Sequence, residues 1–139
     1  MFFNKKKEID KKDSYLVKVA ALLIHAAKID ENFSKTEEKI ITEALLKLGA
    51  KNESLESIIK AGKLMEENAN QILDFTREVK NMDENKKIQI IETLWQIIYS
   101  NKEADIYETN LMRRLAGLLY IDNKTMGDIK EKIKKENSK

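Results

Sequence analysis

The sequence predicts an all-α domain on three observations. It contains no proline, it is rich in residue types that favour helices, and its apolar residues recur with helical spacing. Its 139 residues are enough for one domain with a sizeable core. We expect a basic N-terminal arm over residues 1–13 and a single domain of seven helices over residues 14–139, because no connection is long enough to divide it.

The first predicted helix covers residues 14–28 and is apolar almost all round, which places it at the centre of the domain. The second covers residues 35–48 and stops at Gly49, a residue type that commonly ends helices. Ser54 opens the third, and the fourth covers residues 69–79. The apolar residues on which these helices depend include Leu16, Val19, Leu23, Ile41, Leu45, Ile58, Phe75 and Val79.

The fifth predicted helix, residues 83–99, is again apolar on several faces. The sixth covers residues 106–119, and Thr125 opens a short seventh. Their predicted buried residues include Ile91, Leu94, Trp95, Ile98, Leu111, Met112, Leu115, Leu119, Met126, Ile129 and Ile133.

The two halves of the chain resemble each other at an offset of 71 residues. Matching pairs include Val17 with Ile88, Leu23 with Leu94, Glu37 with Glu108, Leu48 with Leu119 and Asn52 with Asn123. The pattern of each half predicts, in order, a buried helix, an acidic turn, an amphipathic helix, a short cap and another helix. We therefore predict a compact bundle of two pseudo-repeated units, with the first and fifth helices as equivalent central elements.

Composition excludes several kinds of site. With no cysteine there is no disulfide, thiol nucleophile or cysteine-ligated metal, and the single His25 cannot supply a pair of ligands. Four scattered glycines cannot form a phosphate-binding loop. Carboxylates remain, since the chain has 24 Asp and Glu residues. No arrangement of nucleophile and base supports catalysis, so we expect no enzyme.

The net charge of +2 is too small to indicate a nucleic-acid partner, and none is expected. Lysines concentrate at both ends of the chain, where they are either solvated or in weak contact with an anionic membrane surface. The sequence shows no targeting segment and no apolar run of spanning length, so a cytoplasmic location is expected. A protein partner is expected, and the sequence does not identify it or the oligomeric state.

Two acidic turns carry most of the chemistry. They are the stretches DENFSKTE, residues 30–37, and NKEADIYE, residues 101–108. Each places side-chain oxygens at positions one, three, five and eight, a pattern that can surround a hard cation such as Ca²⁺ or Mg²⁺. Neither turn is an EF-hand loop, because Lys35 and Ile106 stand where that loop needs glycine.

Helix capping explains the same residues without an ion. Ser34 and Glu37 have the spacing of a capping box, and Asp105 and Glu108 form a close variant. Such a cap stabilises a helix by about 1 kcal/mol. Capping and cation binding compete for the same oxygens, and the sequence leaves both roles open.

Several of these stretches are similar to the TerB-like family, small helical proteins associated with tellurite resistance. The family's pattern is a helix ending in a small-Asp-Gly-Glu turn, then Asp, an aromatic or small residue and Glu, then a Leu-x-Arg-Arg helix. Residues 94–108 and 111–119 resemble it, as do residues 22–30 in the first half and 74–76 on the linking helix. Their sequences are LWQIIYSNKEADIYE, LMRRLAGLL, LLIHAAKID and DFT.

The resemblance implies a seven-helix domain with acidic positions proposed to bind metal. Those positions correspond here to Asp30, Ser34, Glu37, Asn101, Glu103, Asp105 and Glu108. Three residues depart from the family's pattern, in ways that remove a charged ligand or change the backbone of a turn. Asn101 replaces an Asp, and Glu31 and Lys102 replace glycines, which permit backbone conformations that other residues resist.

The sequence thus predicts a non-enzymatic interaction domain of a tellurite or metal-stress type, with weak divalent-cation binding at the two acidic turns. The alternative is a structural protein–protein adaptor in which the acidic turns only cap helices.

Overall fold

The computed structural model describes residues 11–28, 34–68, 73–100 and 106–137. This part of the chain forms seven α-helices and no strand, which confirms the predicted all-α class. The helices are α1 Lys11–Ala27, α2 Lys35–Lys47, α3 Leu55–Asn68, α4 Leu73–Val79, α5 Glu84–Tyr99, α6 Ile106–Leu118 and α7 Asn123–Asn137, with a short 3₁₀ turn at Asn52–Ser54 before α3.

Helices α1 and α5 lie at the centre of the bundle, as their apolar surfaces predict. From Leu16 to Ala27, every residue of α1 except Lys18 and His25 is buried. Helix α1 packs most extensively on α3 and α4, and α5 packs most extensively on α7. Direct contact between α1 and α5 joins the two halves. Within the described residues the core is therefore continuous from Leu16 to Ile133.

Close packing between α1 and α3 depends on Gly62. A Cβ atom at this position would lie 2.8 Å from Ala20 Cβ and 3.2 Å from the backbone nitrogen of Ala21. Carbon atoms in contact prefer separations of about 3.5–4 Å, so α3 can approach α1 this closely only without a side chain at position 62.

Most predicted helix bounds hold to within one residue, and the largest differences are at the starts of α1 and α7. Helix α1 begins at Lys11 rather than residue 14. Helix α7 begins at Asn123 rather than Thr125 and has 15 residues, so the prediction of a short helix was wrong. Its N-terminus is held by Asp122, whose Oδ1 accepts a hydrogen bond of 2.7 Å from the backbone nitrogen of Thr125. The predicted start of the fourth helix, Ala69, lies outside the described residues.

Helices α2 and α6 end with the same backbone reversal. Gly49 follows α2 with φ 111°, as predicted, and Tyr120 follows α6 with φ 59°. The amide of Ala50 donates to Leu45 O and that of Ile121 to Ala116 O, each at 2.9 Å. Tyrosine resists this left-handed conformation, which glycine adopts without cost. Both reversals lie at the 71-residue offset, and the duplication itself remains a prediction.

No helix within the described residues is long and apolar enough to cross a membrane.

Candidate functional site

The described part of the first acidic turn is a helix cap. Ser34 has extended backbone angles, φ −81° and ψ 165°, at the start of α2. Its Oγ accepts a hydrogen bond of 3.1 Å from the Glu37 amide, and its own amide donates to Glu37 Oε1 at 2.8 Å. These reciprocal bonds satisfy two backbone donors that the helix leaves unpaired, which confirms the predicted capping box.

The Glu37 side chain of this cap is buried. Glu37 is only 2% exposed and lies in the first turn of α2, where the helix dipole stabilises negative charge. A cation at this turn would have to share the Oε1 and Oγ atoms with the cap. Among the residues that the structure describes, no group of three histidine, aspartate or glutamate side chains is arranged to hold a metal ion.

The other predicted ligands cannot be placed. Asp30, Asn101, Glu103 and Asp105 lie outside the described residues, and of Glu108 only the backbone is described, within α6. The structure therefore brings together Ser34 and Glu37, and assembly of the remaining ligands stays a prediction.

A cluster that sequence reasoning missed lies at the end of α1 that leads into the first acidic turn. Glu66 of α3 accepts a hydrogen bond of 2.8 Å from Lys28 Nζ through Oε1. Its Oε2 lies 3.2 Å from Nδ1 of His25, whose ring also lies 6.1 Å from that of Phe75. The Glu66 side chain is 11% exposed. His25 is accordingly a partnered residue at the boundary of the core. Glu66 has no signal in the sequence because 38 residues separate it from Lys28.

The electrostatics of this cluster favour ionised Glu66. Burial acts to raise the pKa of the Glu66 carboxyl, but hydrogen bonds from Lys28 and His25 outweigh it and bring that pKa below its ordinary value of 4.5. The same hydrogen bond raises the pKa of Lys28. The Lys28 ammonium at the C-terminal end of α1 is also favourable for the helix dipole.

We expect Glu66→Gln to weaken the acid dependence of stability. Because the folded-state pKa of Glu66 is lower than the unfolded value, its contribution is complete above about pH 4.5 and is lost as the pH falls through the folded-state pKa. Urea unfolding between about pH 7 and pH 3 should show the variant less stable than the parent at neutral pH, with the gap closing in acid.

Glu56→Gln on the same helix is the matched control, since Glu56 is exposed and does not act on Lys28 or Glu66. It should leave the pH dependence of the parent unchanged. A difference between Glu66→Gln and the parent that stays constant over the whole pH range would contradict the assignment.

Comparison with known proteins adds one finding. A family model described as "Tellurite resistance protein TerB" matches residues 16–131, from the first helix into the seventh. No curated protein and no solved structure matches the chain.

Proposed function

The chain belongs to the TerB family, and from that premise we propose that it is a non-enzymatic interaction domain serving a tellurite or metal-stress response. The observation that carries the proposal is the family match itself, which spans residues 16–131 and so includes most of α1, all of α5 and both acidic turns. The residues described between those limits form one continuous apolar core. A rigid helical body of this kind suits recognition through its surface.

The direct test is capture of a partner by the purified, folded chain from its source cells, grown with and without tellurite. The proposal predicts enrichment of one or a few proteins in amounts comparable with the bait. A reconstituted complex of purified components should then form with a defined stoichiometry. Failure of every enriched protein to bind in purified form would overturn the proposal.

Weak divalent-cation binding at the acidic turns is the second candidate role. It is favoured by the spacing of oxygen side chains in residues 30–37 and by the burial of one such carboxylate, Glu37, at the start of α2. Against it stands the capping box, which already uses oxygens of Ser34 and Glu37. The competing adaptor hypothesis assigns these residues to capping alone.

Thermal unfolding with and without Ca²⁺, Mg²⁺ or Mn²⁺ separates the two roles. A cation that binds the folded state with a dissociation constant near 1 mM should add on the order of 1 kcal/mol at about 10 mM metal and raise the melting temperature. Glu37→Gln should abolish that shift, because an amide is a weaker ligand. It should cost little stability in chelator, because glutamine can still accept from the Ser34 amide.

Ser34→Ala provides the capping control. Loss of its Oγ should cost about 1 kcal/mol with metal and with chelator alike. If none of the three metals moves the melting temperature of the parent, cation binding is excluded for this chain and the adaptor hypothesis stands.

A further inference from the structure

A cleft of about 160 Å³ lies between α6 and α7, with part of its wall supplied by α5. We call it the α6–α7 cleft and define it by Trp95, Met112, Arg113, Met126, Gly127 and Lys130. Its volume is close to that of an engineered cavity of about 150 Å³ that holds benzene. The cleft therefore has room for one apolar side chain.

Gly127 lines the cleft without a side chain. No heavy atom outside its own stretch of helix lies within 4 Å of the position that a Cβ atom would take there. Gly117 on α6 has equally open surroundings but does not line the cleft. Glycine lowers helix stability relative to alanine. Residue 127 thus lacks a side chain although the fold has space for one and would be more stable with it.

The cleft wall contains a polar group that the described residues do not satisfy. Trp95 is 3% exposed, and its indole N–H is buried with no hydrogen-bond acceptor in the described part of the chain. Its ring stacks on Tyr99 with centroids 5.8 Å apart, which confirms the predicted packing role. A buried donor without an acceptor destabilises the fold, so such groups are rare unless something else supplies the acceptor.

Two cations border the cleft. Lys130 Nζ lies over the Trp95 ring, 5.4 Å from its centroid, and Arg113 is exposed. No ion pair within the described residues joins either cation to a carboxylate. Both cations lie where carboxylates of a docked segment could pair with them.

We propose that the α6–α7 cleft is the docking site for an acidic segment of a partner protein that inserts one apolar side chain. This inference rests on the proposed interaction function and names the partner chemistry. The apolar wall and the volume select the inserted side chain, and Arg113 and Lys130 select flanking Asp or Glu residues. The open surface position of the cleft favours a protein segment over an enclosed small molecule.

The probe is a five-residue peptide with a central Phe between pairs of Asp, blocked at both ends. Trp95 is the only tryptophan in the chain, so intrinsic fluorescence reports on this cleft. We expect saturable binding to the folded full chain that weakens as salt is raised. A peptide with Ser in place of Phe, and one with Lys in place of Asp, should each bind about tenfold more weakly or not measurably.

Gly127→Leu fills the cleft and should weaken binding of the Asp–Phe peptide at least about tenfold. It should not lower the melting temperature, because leucine is the better helix former and has open space. Gly117→Leu makes the same change outside the cleft and should bind the peptide like the parent.

Arg113→Glu, at an exposed position, should weaken binding of the Asp–Phe peptide and strengthen binding of the Lys–Phe peptide. Equal binding by all peptides, or by parent and Gly127→Leu, would overturn the cleft assignment.

Binding of a captured partner to the parent and to Gly127→Leu shows whether the cleft assignment or the proposed function is wrong. If the partner binds the parent and Gly127→Leu equally, the interaction function holds and the cleft is not its site. If no purified partner binds even the parent, the interaction function fails, while the peptide measurements still decide whether the cleft recognises acidic, apolar segments.

Discussion

Gly62→Ala is expected to destabilise the domain by about 1–3 kcal/mol, although alanine is the better helix former. The added Cβ would lie 2.8 Å from Ala20 Cβ and 3.2 Å from a backbone nitrogen of α1. Since Ala20 has no side-chain torsion by which to move away, the two helices would have to separate. The gain in helix propensity, about 1 kcal/mol, offsets only part of that cost. Urea unfolding of the two proteins measures the difference.

Gly117→Ala supplies the matched control because a Cβ there meets nothing within 4 Å. It should raise stability by up to about 1 kcal/mol, opposite in sign to Gly62→Ala. Ala20→Gly combined with Gly62→Ala removes the atom that obstructs the new Cβ and should recover part of the loss. Stabilisation by Gly62→Ala alone would show that α1 and α3 can separate at little cost.

Local signals made much of this fold predictable. The spacing of Ser34 and Glu37 predicts the start of α2 and its capping box, because the residues that cap a helix are adjacent to it in the chain. Gly49 predicts the end of α2 for the same reason. The matching reversal after α6 uses Tyr120, a residue type that gives no such signal. Its conformation is imposed by the hydrogen bonds of the reversal rather than by its own preference.

Contacts between residues that are distant in the chain could not be predicted from the sequence. That Gly62 meets Ala20, and that Glu66 joins His25 and Lys28, follows only from the way α3 crosses α1. Patterns of apolar residues indicate which face of a helix is buried, but not which residue on another helix faces it. For the same reason the sequence could show that the acidic turns have residues suited to cation binding or to helix capping, but not which role they have. That choice depends on side-chain geometry, which among the candidate ligands is described only for Ser34 and Glu37.

Lys87 is buried by contacts with distant parts of the chain, although lysine is a residue type that is usually exposed. It lies on α5 and is only 7% exposed. Its Nζ donates to Leu119 O, at the end of α6, at 3.0 Å and to Lys80 O, just after α4, at 3.3 Å. Glu84, one turn earlier, lies 3.9 Å away. A single ammonium group thus satisfies carbonyls at the ends of two helices, where positive charge is favoured by both helix dipoles.

Lys87→Met is therefore expected to destabilise the domain by about 1–3 kcal/mol. Methionine preserves most of the apolar stem but donates no hydrogen bond, so both carbonyls lose this partner and α6 loses the charge at its C-terminus. Urea unfolding measures the loss, and faster hydrogen exchange of the Ile121 amide, within the reversal after α6, should locate it.

Lys86→Met tests whether position rather than charge is responsible. Lys86 is exposed and lies over the Tyr15 ring, 5.7 Å from its centroid, a contact worth about 0.5–1 kcal/mol at most at such a site. Its loss should cost less than that of Lys87 and should leave the Ile121 amide unaffected. Removing a buried charge can instead be neutral or stabilising when its desolvation cost exceeds the bonds it makes. Here we expect the carbonyl acceptors to decide the sign, because the hydrogen bond to Leu119 O is buried and that carbonyl loses its donor. An unchanged or higher stability of Lys87→Met would show that desolvation dominates.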